Sequence, residues 1–264
     1  GGGVIRGVAG DRPRDSEPYA AARPPKRVVS LHLCADQLML KLADRGQIAA
    51  VTRIASEPAY SVMAWEARGL PAIAGTAEEV VSFEPDLVFA GPLSARSTVR
   101  ILRSLGTRLI DLDLVQDFAG IRTQVREVAA ALGHPERGER MVAEIDAQLA
   151  ALPVAAAERR LLAIVYQANG FTPGPGSLAH EVLVAAGFDN LTARLGLGSL
   201  GRLPLEALIA SAPQVIVISD LRRSPALAYG VLTHSALRHL DPAPQFIAMP
   251  ERLWTCGGWF TAEA

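Results

Sequence analysis

Residues 78–90 read EEVVSFEPDLVFA, and residues 206–218 read EALIASAPQVIVI. In both stretches a Glu is followed seven residues later by a Pro, then by one polar residue and an apolar run. The two stretches lie about half the chain apart. A phrase repeated at this distance indicates two similar lobes within one chain.

The two copies also predict the same local structure. The apolar pair between each Glu and its Pro suits a short helix buried along one face. The Pro ends that helix, and the branched apolar run after it is typical of a parallel strand covered on both faces. Each copy therefore predicts helix, turn and strand, with Glu78 or Glu206 at the exposed start. Coincidence is the alternative, because this pattern is common in α/β proteins.

The surrounding order of elements repeats as well. An apolar strand, a loop and a helix follow both Lys26 and Arg160, and Asp36 is the expected N-cap of the first of these helices. We therefore expect an α/β fold in which two doubly wound, Rossmann-like lobes are joined by a long helix. The expected ranges are a flexible leader over 1–25, an N-terminal lobe over 26–135, a connecting helix over 136–152 and a C-terminal lobe over 153–264.

Composition excludes several classes of protein. The 264 residues carry a net charge of −1 and half of them are apolar, so a sizeable core is available. No dense basic block indicates nucleic acid, and no apolar run approaches the roughly 20 residues that span a bilayer. The two cysteines, Cys34 and Cys256, fall in different predicted lobes. We expect two free thiols there, the alternative being a bridge that would restrict movement between the lobes.

Candidate binding residues follow the predicted strands, because ligands of open parallel sheets collect at the carboxyl ends of the strands. Trp254 and Trp259 stand out, since they flank two glycines where no helical or strand period explains them; plugging the core of the second lobe is the alternative. The candidate ligand-binding side chains are His32, Arg53, Tyr60, Trp65, Ser94, Tyr166, Asn169, Phe171, Arg202, Trp254 and Trp259.

No catalytic or metal-binding pattern is present in the sequence. There is no triad order, no acid–base pair at helical spacing and no phosphate loop, and the Pro-Gly-Pro-Gly-Ser run at 173–177 has no Lys. The five histidines are scattered and predict no metal site. His32 is the histidine with a possible role in binding. It either faces a cleft or is a hydrogen-bonded, partly buried imidazole.

Together, the strand over 27–31, the two repeated phrases and the helix over 136–152 resemble one family. It comprises the periplasmic substrate-binding proteins of ABC importers for iron–siderophore, haem and cobalamin, the class with a helical backbone between its lobes. The resemblance implies a monomeric receptor without a cofactor of its own, with a small molecule held between the lobes and an ABC permease as membrane partner. It also implies that Glu78 and Glu206 face arginines of the permease, although Glu79 could take the place of Glu78.

The resemblance also shapes what we expect of the ligand. Trp254, Trp259, Tyr166 and Phe171 would form apolar walls, and the arginines at 53 and 202 would meet anionic groups. A ferric siderophore or cobalamin is the leading cargo. Haem is the alternative, with Tyr60, Tyr166 or His32 as iron ligand, and an α/β enzyme acting on a nucleotide or sugar is a more distant one.

Two departures from the family pattern accompany the resemblance. Members carry a cleavable export or lipoprotein signal, which this sequence does not show, and we expect a periplasmic or lipid-anchored protein all the same. Members also end with a helix after the segment that matches 254–260, and this chain stops at Ala264. Either the sequence is cut short there or the helix is missing, so we expect a C-terminal lobe without a final helix over these residues.

Overall fold

A computed structural model describes residues 23–153, 160–219 and 242–264. These residues form two lobes, each built on a parallel sheet. The first lobe contains β1 (Val28–Ser30), α1 (Leu33–Leu42), β2 (Ile48–Thr52), β3 (Ala72–Ile73), α2 (Ala77–Ser82), β4 (Leu87–Ala90), α3 (Arg96–Ser104), β5 (Leu109–Asp111), α4 (Phe118–Leu132) and α5 (Pro135–Ala150). The second contains β6 (Leu162–Val165), β7 (Phe171–Pro173), α6 (Leu178–Ala185), β8 (Asp189–Asn190), α7 (Leu191–Arg194), β9 (Leu200–Arg202), α8 (Leu205–Ser211), β10 (Val215–Ser219) and β11 (Gln245–Met249).

The first sheet has the strand order β3-β2-β1-β4-β5, with all strands parallel. Its side chains alternate between two buried faces, as expected for a sheet covered on both sides. Val28 and Phe89 point into the cluster that contains α1, α4 and α5. Val29 and Val88 point into the opposite cluster, against α2 and α3.

The second sheet has the order β11-β10-β6-β8, also parallel, and β7 and β9 add a small antiparallel hairpin. Here too the faces alternate. Ile164 and Ile216 pack with α7 and α8, whereas Val165 and Val217 pack with α6. The strand order β2-β1-β4-β5 in the first lobe corresponds to β8-β6-β10-β11 in the second, so the two predicted doubly wound lobes are confirmed.

The repeat extends to individual hydrogen bonds. The Asp86 carboxylate accepts the backbone N–H of Arg27 at 2.8 Å, just before β1. At the corresponding place the Gln214 carboxamide oxygen accepts the backbone N–H of Leu162 at 2.9 Å, at the start of β6. The polar residue after each Pro therefore fixes where its strand meets the first strand of the lobe.

The turns before the two strands also match. Glu84 and Ala212 each precede the Pro of their copy and have left-handed backbone, with φ of 47° and 43°. The right-handed helical region is disfavoured for the residue before a Pro, so each helix ends before its Pro is reached. Both copies of the phrase thus end the helix by the same reversal of the chain.

The long helix that joins the lobes is α5, close to the predicted bounds. Its buried residues include Met141, Val142 and Ile145, which join the core of the first lobe beside α4. The helix therefore lies along the first lobe and leads the chain towards β6. Among the described residues, no helix is long and apolar enough to cross a membrane.

The chain then returns to the first lobe at its C-terminal end. Cys256 forms a disulfide with Cys34 of α1, so the expectation of two free thiols is wrong. Phe260 is buried beside Leu33, and Trp259 packs against the same cluster and against the first core. Local sequence patterns could not reveal this pairing, because the two cysteines are 222 residues apart.

These contacts differ from the expected division of the chain. Residues from Cys256 onward pack on the first lobe, although the sequence assigned all of 153–264 to the second. Of the expected leader, residues 1–22 lie outside the described part, whereas the carbonyl of Pro25 accepts a hydrogen bond from Gln47 at 2.8 Å. The chain ends in a 3₁₀ helix, Trp259–Glu263.

The shared hydrogen bonds of the repeat can be tested by Asp86→Ala and Gln214→Ala. Asp86 also accepts from the backbone of Lys26 at 2.7 Å, and hydrogen bonds to charged groups contribute more than neutral ones. We expect Asp86→Ala to lower the free energy of unfolding by about 1–2 kcal/mol and Gln214→Ala by about 0.5–1.5 kcal/mol. Urea denaturation measures both, with the exposed Gln148→Ala as control; no loss in either variant would contradict the assignment.

Candidate functional site: a cleft between the lobes

A cavity of about 340 Å³ lies between the lobes and is lined by both of them. The first lobe contributes residues 114–116, which follow the carboxyl end of β5. The second lobe contributes the loop after β6, the start of α6 and the segment after β11. Its lining residues are Leu114, Val115, Gln116, Gln167, Pro173, Gly176, Ser177, Leu178, Ala179, Ser199, Leu200, Glu251, Trp254 and Thr255.

A second cavity of about 410 Å³ continues the first. The two share Gln167, Leu200 and Glu251, so together they form one groove. Asn169 and Phe171 complete its wall on the side of the second lobe. Because both cavities open at carboxyl ends of parallel strands, the groove lies where open α/β sheets bind ligands.

The lining is apolar and hydrogen-bonding but carries little charge. Carboxamides and hydroxyls dominate its polar part, and Glu251 is its only ionisable side chain among the described residues. Hydroxyls of Ser219 and Thr255 donate to the two carboxylate oxygens of Glu251, the second at 3.0 Å. No Arg, Lys, His, Tyr, Met or Cys lines either cavity in the part of the chain that the structure describes.

Exposed apolar side chains gather around this groove. Leu114 is 66% exposed and Leu200 65%, from opposite lobes. Phe171, in the wall of the second cavity, is 41% exposed. Large apolar side chains left open at a cleft mark a ligand-binding groove.

Trp254 lies both in the core of the second lobe and at the groove. The side chain is buried against Val165 and Val217 in the core of the second lobe, and it also lines the first cavity. It therefore closes the end of the core and offers its remaining surface to the groove.

The predicted residues Asn169, Phe171 and Arg202 lie together at the hairpin of β7 and β9. Arg202 donates through Nε to the carbonyl of Asn169 at 3.0 Å, and its guanidinium lies 5.9 Å from the ring of Phe171. Asn169 and Phe171 line the second cavity, and Arg202 stands beside them.

Tyr166 and Ser94 are used internally. Tyr166 is 1% exposed, and its hydroxyl donates to the carbonyl of Leu203 at 2.9 Å. Burial raises the pKa of this phenol, and the Glu206 carboxylate raises it further. Ser94 is buried, and its hydroxyl donates to the carbonyl of Leu31 at 3.0 Å. Neither lines a cavity of the groove.

Trp259 and Tyr60 lie on the first lobe, away from Trp254. The ammonium of Lys41 lies 5.3 Å from the centre of the Trp259 ring. Tyr60 is half-buried in the cluster around Cys256. The two tryptophans therefore do not form one aromatic wall.

Trp65 lies at the opposite end of the first sheet from the groove. It is 73% exposed and stacked with Arg68, whose guanidinium carbon is 4.2 Å from the centre of the ring. Arg45, which precedes β2, holds the carbonyls of Glu66 and Arg68 at 2.6 and 2.9 Å. This loop thus reaches back to the amino end of β2 before β3 begins.

His32 follows β1 at the carboxyl edge, but only 9% of it is exposed. A Cβ on Gly91 would come within 2.6 Å of its ring, so the glycine is what leaves room for the imidazole. Burial lowers the pKa of His32, and the nearby Asp111 opposes that shift. Its Nδ1 has no hydrogen-bond partner among the described residues.

Asp36 is not the N-cap predicted from the sequence, because α1 begins three residues earlier, at Leu33. Its carboxylate is fully buried and accepts hydrogen bonds from the hydroxyl and, at 3.2 Å, the backbone N–H of Thr52. Burial raises the pKa of Asp36 to about 7, while the hydrogen bonds from Thr52 and Ser30 lower it. No sequence pattern distinguishes such a residue from an ordinary cap.

Residues 28–245 match the sequence profile of the periplasmic binding protein family. The chain belongs to this family. A cobalamin-binding protein of Halobacterium salinarum is 25% identical over 253 residues, covering 87% of this chain and 68% of the relative. A vitamin B12-binding protein of Salmonella choleraesuis is 30% identical over 148 residues, which cover 54% of each chain. The match thus spans about half the length of the Salmonella relative.

Solved periplasmic binding proteins share the fold. The apo haem-binding protein from Roseiflexus sp. RS-1 has a TM-score of 0.73 at 23% identity, covering 90% of this chain and 94% of that one. The vitamin B12-binding protein of Vibrio cholerae has a TM-score of 0.65 at 17% identity, covering 91% and 93%. These comparisons confirm the two-lobed class and the family resemblance expected from the repeated phrase.

In this periplasmic binding protein the adjacent residues Glu78 and Glu79 differ in their hydrogen bonding. Glu79 belongs to a capping box, in which its carboxylate accepts the backbone N–H groups of Ala74, Gly75 and Thr76. These bonds lower the pKa of Glu79. Glu78 is exposed in the same first turn, and no hydrogen bond or ion pair joins it to the described residues.

Both repeated glutamates begin helices that start near the carboxyl end of their sheet, since Tyr166 after β6 bonds to Leu203 just before α8. Arg53 directly follows β2, and its Nη2 lies 3.8 Å from Oε1 of Glu79. The start of α2 therefore lies near the carboxyl end of the first sheet. Glu206 is exposed in the first turn of α8 and acts electrostatically on Tyr166, which follows β6.

The buried Asp36 predicts a distinctive pH dependence of stability. Its pKa is raised in the folded state, so its contribution is complete below about pH 4 and is lost as pH rises through about 7. Over that range the wild type should lose up to about 1.4 kcal/mol per pH unit relative to Asp36→Asn, which does not titrate. Denaturation curves between pH 4 and 8 measure this. Parallel profiles for the two proteins would show that Asp36 stays ionised.

Proposed function

We propose that this protein is the substrate-binding receptor of an ABC importer and that it carries a corrinoid such as cobalamin to a membrane permease. The observation that carries the proposal is the composition of the groove, whose described residues offer apolar walls, neutral hydrogen-bonding groups and one carboxylate. The named function of the relatives from Halobacterium and Salmonella supports the same cargo.

The chemistry of a corrinoid fits such a groove. The ring of cobalamin has broad apolar faces, and its rim carries neutral carboxamides that both donate and accept hydrogen bonds. Gln116, Gln167, Ser177 and Thr255 are able to do the same from both lobes. Leu114, Leu200 and the other apolar residues of the groove would cover the faces of the ring.

Haem is the weaker candidate, although solved haem-binding proteins share the fold. A haem requires an axial ligand for its iron and groups that accommodate two carboxylates. The three residues expected to ligate iron, Tyr60, Tyr166 and His32, do not line the groove. Among the described residues, Arg202 is the cation that stands at the edge of the groove, and no Arg or Lys lines it, which gives an anionic siderophore few partners there.

The groove also favours a receptor over an enzyme. A single ionisable side chain, Glu251, offers no acid–base pair among the described lining residues. No cluster of three or more His, Cys, Asp or Glu able to hold a metal occurs in the described part of the chain. We propose a receptor that works without catalysis, metal or cofactor, as its membership of the periplasmic binding protein family favours.

Glu78 and Glu206 are the proposed contacts with the permease. One exposed carboxylate per lobe, both on the cleft side, would suit a partner built from two similar halves. Exposed ion pairs contribute about 0.2–1 kcal/mol each, so they would set the docking orientation more than the affinity. A single copy of the receptor meets both halves, consistent with a monomer.

The disulfide bears on where the protein works. Disulfides persist in oxidising compartments such as the periplasm and are rare in the cytosol. Together with the family, the Cys34–Cys256 bond supports a periplasmic or surface-anchored receptor.

The cargo is tested by calorimetric titration with cyanocobalamin, haemin and a panel of ferric siderophores. We expect binding of cyanocobalamin with a Kd in the micromolar range or tighter and no comparable binding of haemin. Trp254→Ala should weaken binding at least tenfold, because it removes part of the groove wall. Trp65→Ala, the matched control at the opposite end of the first lobe, should leave the Kd unchanged. Preference for haemin, or no binding of any ligand, would refute the proposed cargo.

The docking contacts are tested by Glu78→Gln and Glu206→Gln in an uptake assay with the reconstituted importer. Each change should reduce uptake several-fold, and the double change should reduce it further, while cargo affinity stays constant. Glu79→Gln is the control, because Gln also serves in a capping box. Uptake equal to that of the wild type in the double variant would remove the docking role.

A further inference from the structure

The segment that carries part of the groove wall has little support of its own. Glu251, Trp254 and Thr255 line the first cavity from a short 3₁₀ helix, Glu251–Leu253, and the residues just after it. No residue within this 3₁₀ helix is buried. It is held instead by contacts with both lobes, because the hydroxyl of Ser219 at the end of β10 donates to Glu251 and Leu253 packs against the cluster around Cys256.

Directly after this 3₁₀ helix the chain is anchored first to the second lobe and then to the first. Trp254 is buried in the core of the second lobe. Two residues later, Cys256 is covalently bonded to Cys34 in the first turn of α1. The chain thus crosses from one lobe to the other within two residues of a cleft-lining side chain.

The anchor on the first lobe also touches the opposite wall of the groove. A Cβ on Gly257 would lie 2.7 Å from the side chain of Ile121 and 2.8 Å from that of Val115, so only glycine allows this approach. Val115 itself lines the first cavity. The two walls of the groove, Val115 and Trp254, are therefore connected through three residues of chain.

We propose that the disulfide sets the width of the groove, with Cys34 and Cys256 acting as positioning residues for ligand capture. The bond keeps the Trp254 segment against α1 and prevents the lobes from separating at the groove. A cleft that is already narrow loses less conformational freedom when a ligand enters, so affinity increases. This inference rests on the proposed receptor function.

Hydrogen–deuterium exchange and binding of cyanocobalamin test the proposal on Cys34→Ser/Cys256→Ser. Amide exchange over 251–258 should rise at least tenfold, while α6 and β6 stay as protected as in the wild type. The Kd for cyanocobalamin should rise about tenfold through faster dissociation. Val80→Ala is the control for general destabilisation, because Val80 packs on the opposite face of the first sheet; it should change neither quantity at the segment.

Unchanged exchange over 251–258, or increased exchange with unchanged affinity, overturns the positioning role. Wild-type protein that binds no cyanocobalamin refutes the proposed cargo, and the exchange measurement then still decides whether the disulfide holds the segment. If the double variant does not fold, wild-type protein reduced with dithiothreitol and then reoxidised replaces it. The loss and recovery of both signals are then expected, and affinity unaffected by reduction contradicts the proposal.

Discussion

The pairing of β1 with β4, repeated as β6 with β10, is the constraint on which the structure depends. In each lobe a left-handed residue and a Pro end a helix, and the next side chain, Asp86 or Gln214, fixes the register with the first strand. Because parallel strands end at a common edge, this register brings the loops that follow them together. Two lobes built in this way offer two such edges, and the groove forms between them.

The proposed docking residues and the proposed cargo-binding residues are different sets. Glu78 and Glu206 are exposed in the first turns of α2 and α8, and neither lines the groove. The residues that would recognise cargo come from loops after β5, β6 and β11, which differ between the lobes. The proposed docking contacts thus recur at matching positions of the two lobes, whereas the proposed cargo contacts do not.

The sequence predicted the fold and the location of the cleft, because both follow from local periodicity and its repetition. It could not tell which side chains at strand ends turn inward. Tyr166 directly follows a strand but bonds to Leu203 in the core, and Gln167, its neighbour, lines the cavity. The residues at 114–116 and Glu251 carried no aromatic or basic signal and were missed.

Other differences come from long-range contacts that no local pattern contains. Trp259 and the Cys34–Cys256 bond depend on the return of the C-terminal segment to the first lobe. Trp65 depends on a long loop that runs back to the amino end of the sheet, held there by Arg45. In both cases the position of the residue is determined by contacts between distant parts of the chain. How closely the residue follows a strand in the sequence does not determine it.

The central claim is that cargo lies between two duplicated lobes, and a crystal structure of the protein grown with cyanocobalamin tests it most directly. We expect one corrinoid per chain, in contact with residues 114–116 of the first lobe and with Gln167 and Trp254 of the second. A ligand bound to one lobe only, or outside the groove, would contradict it.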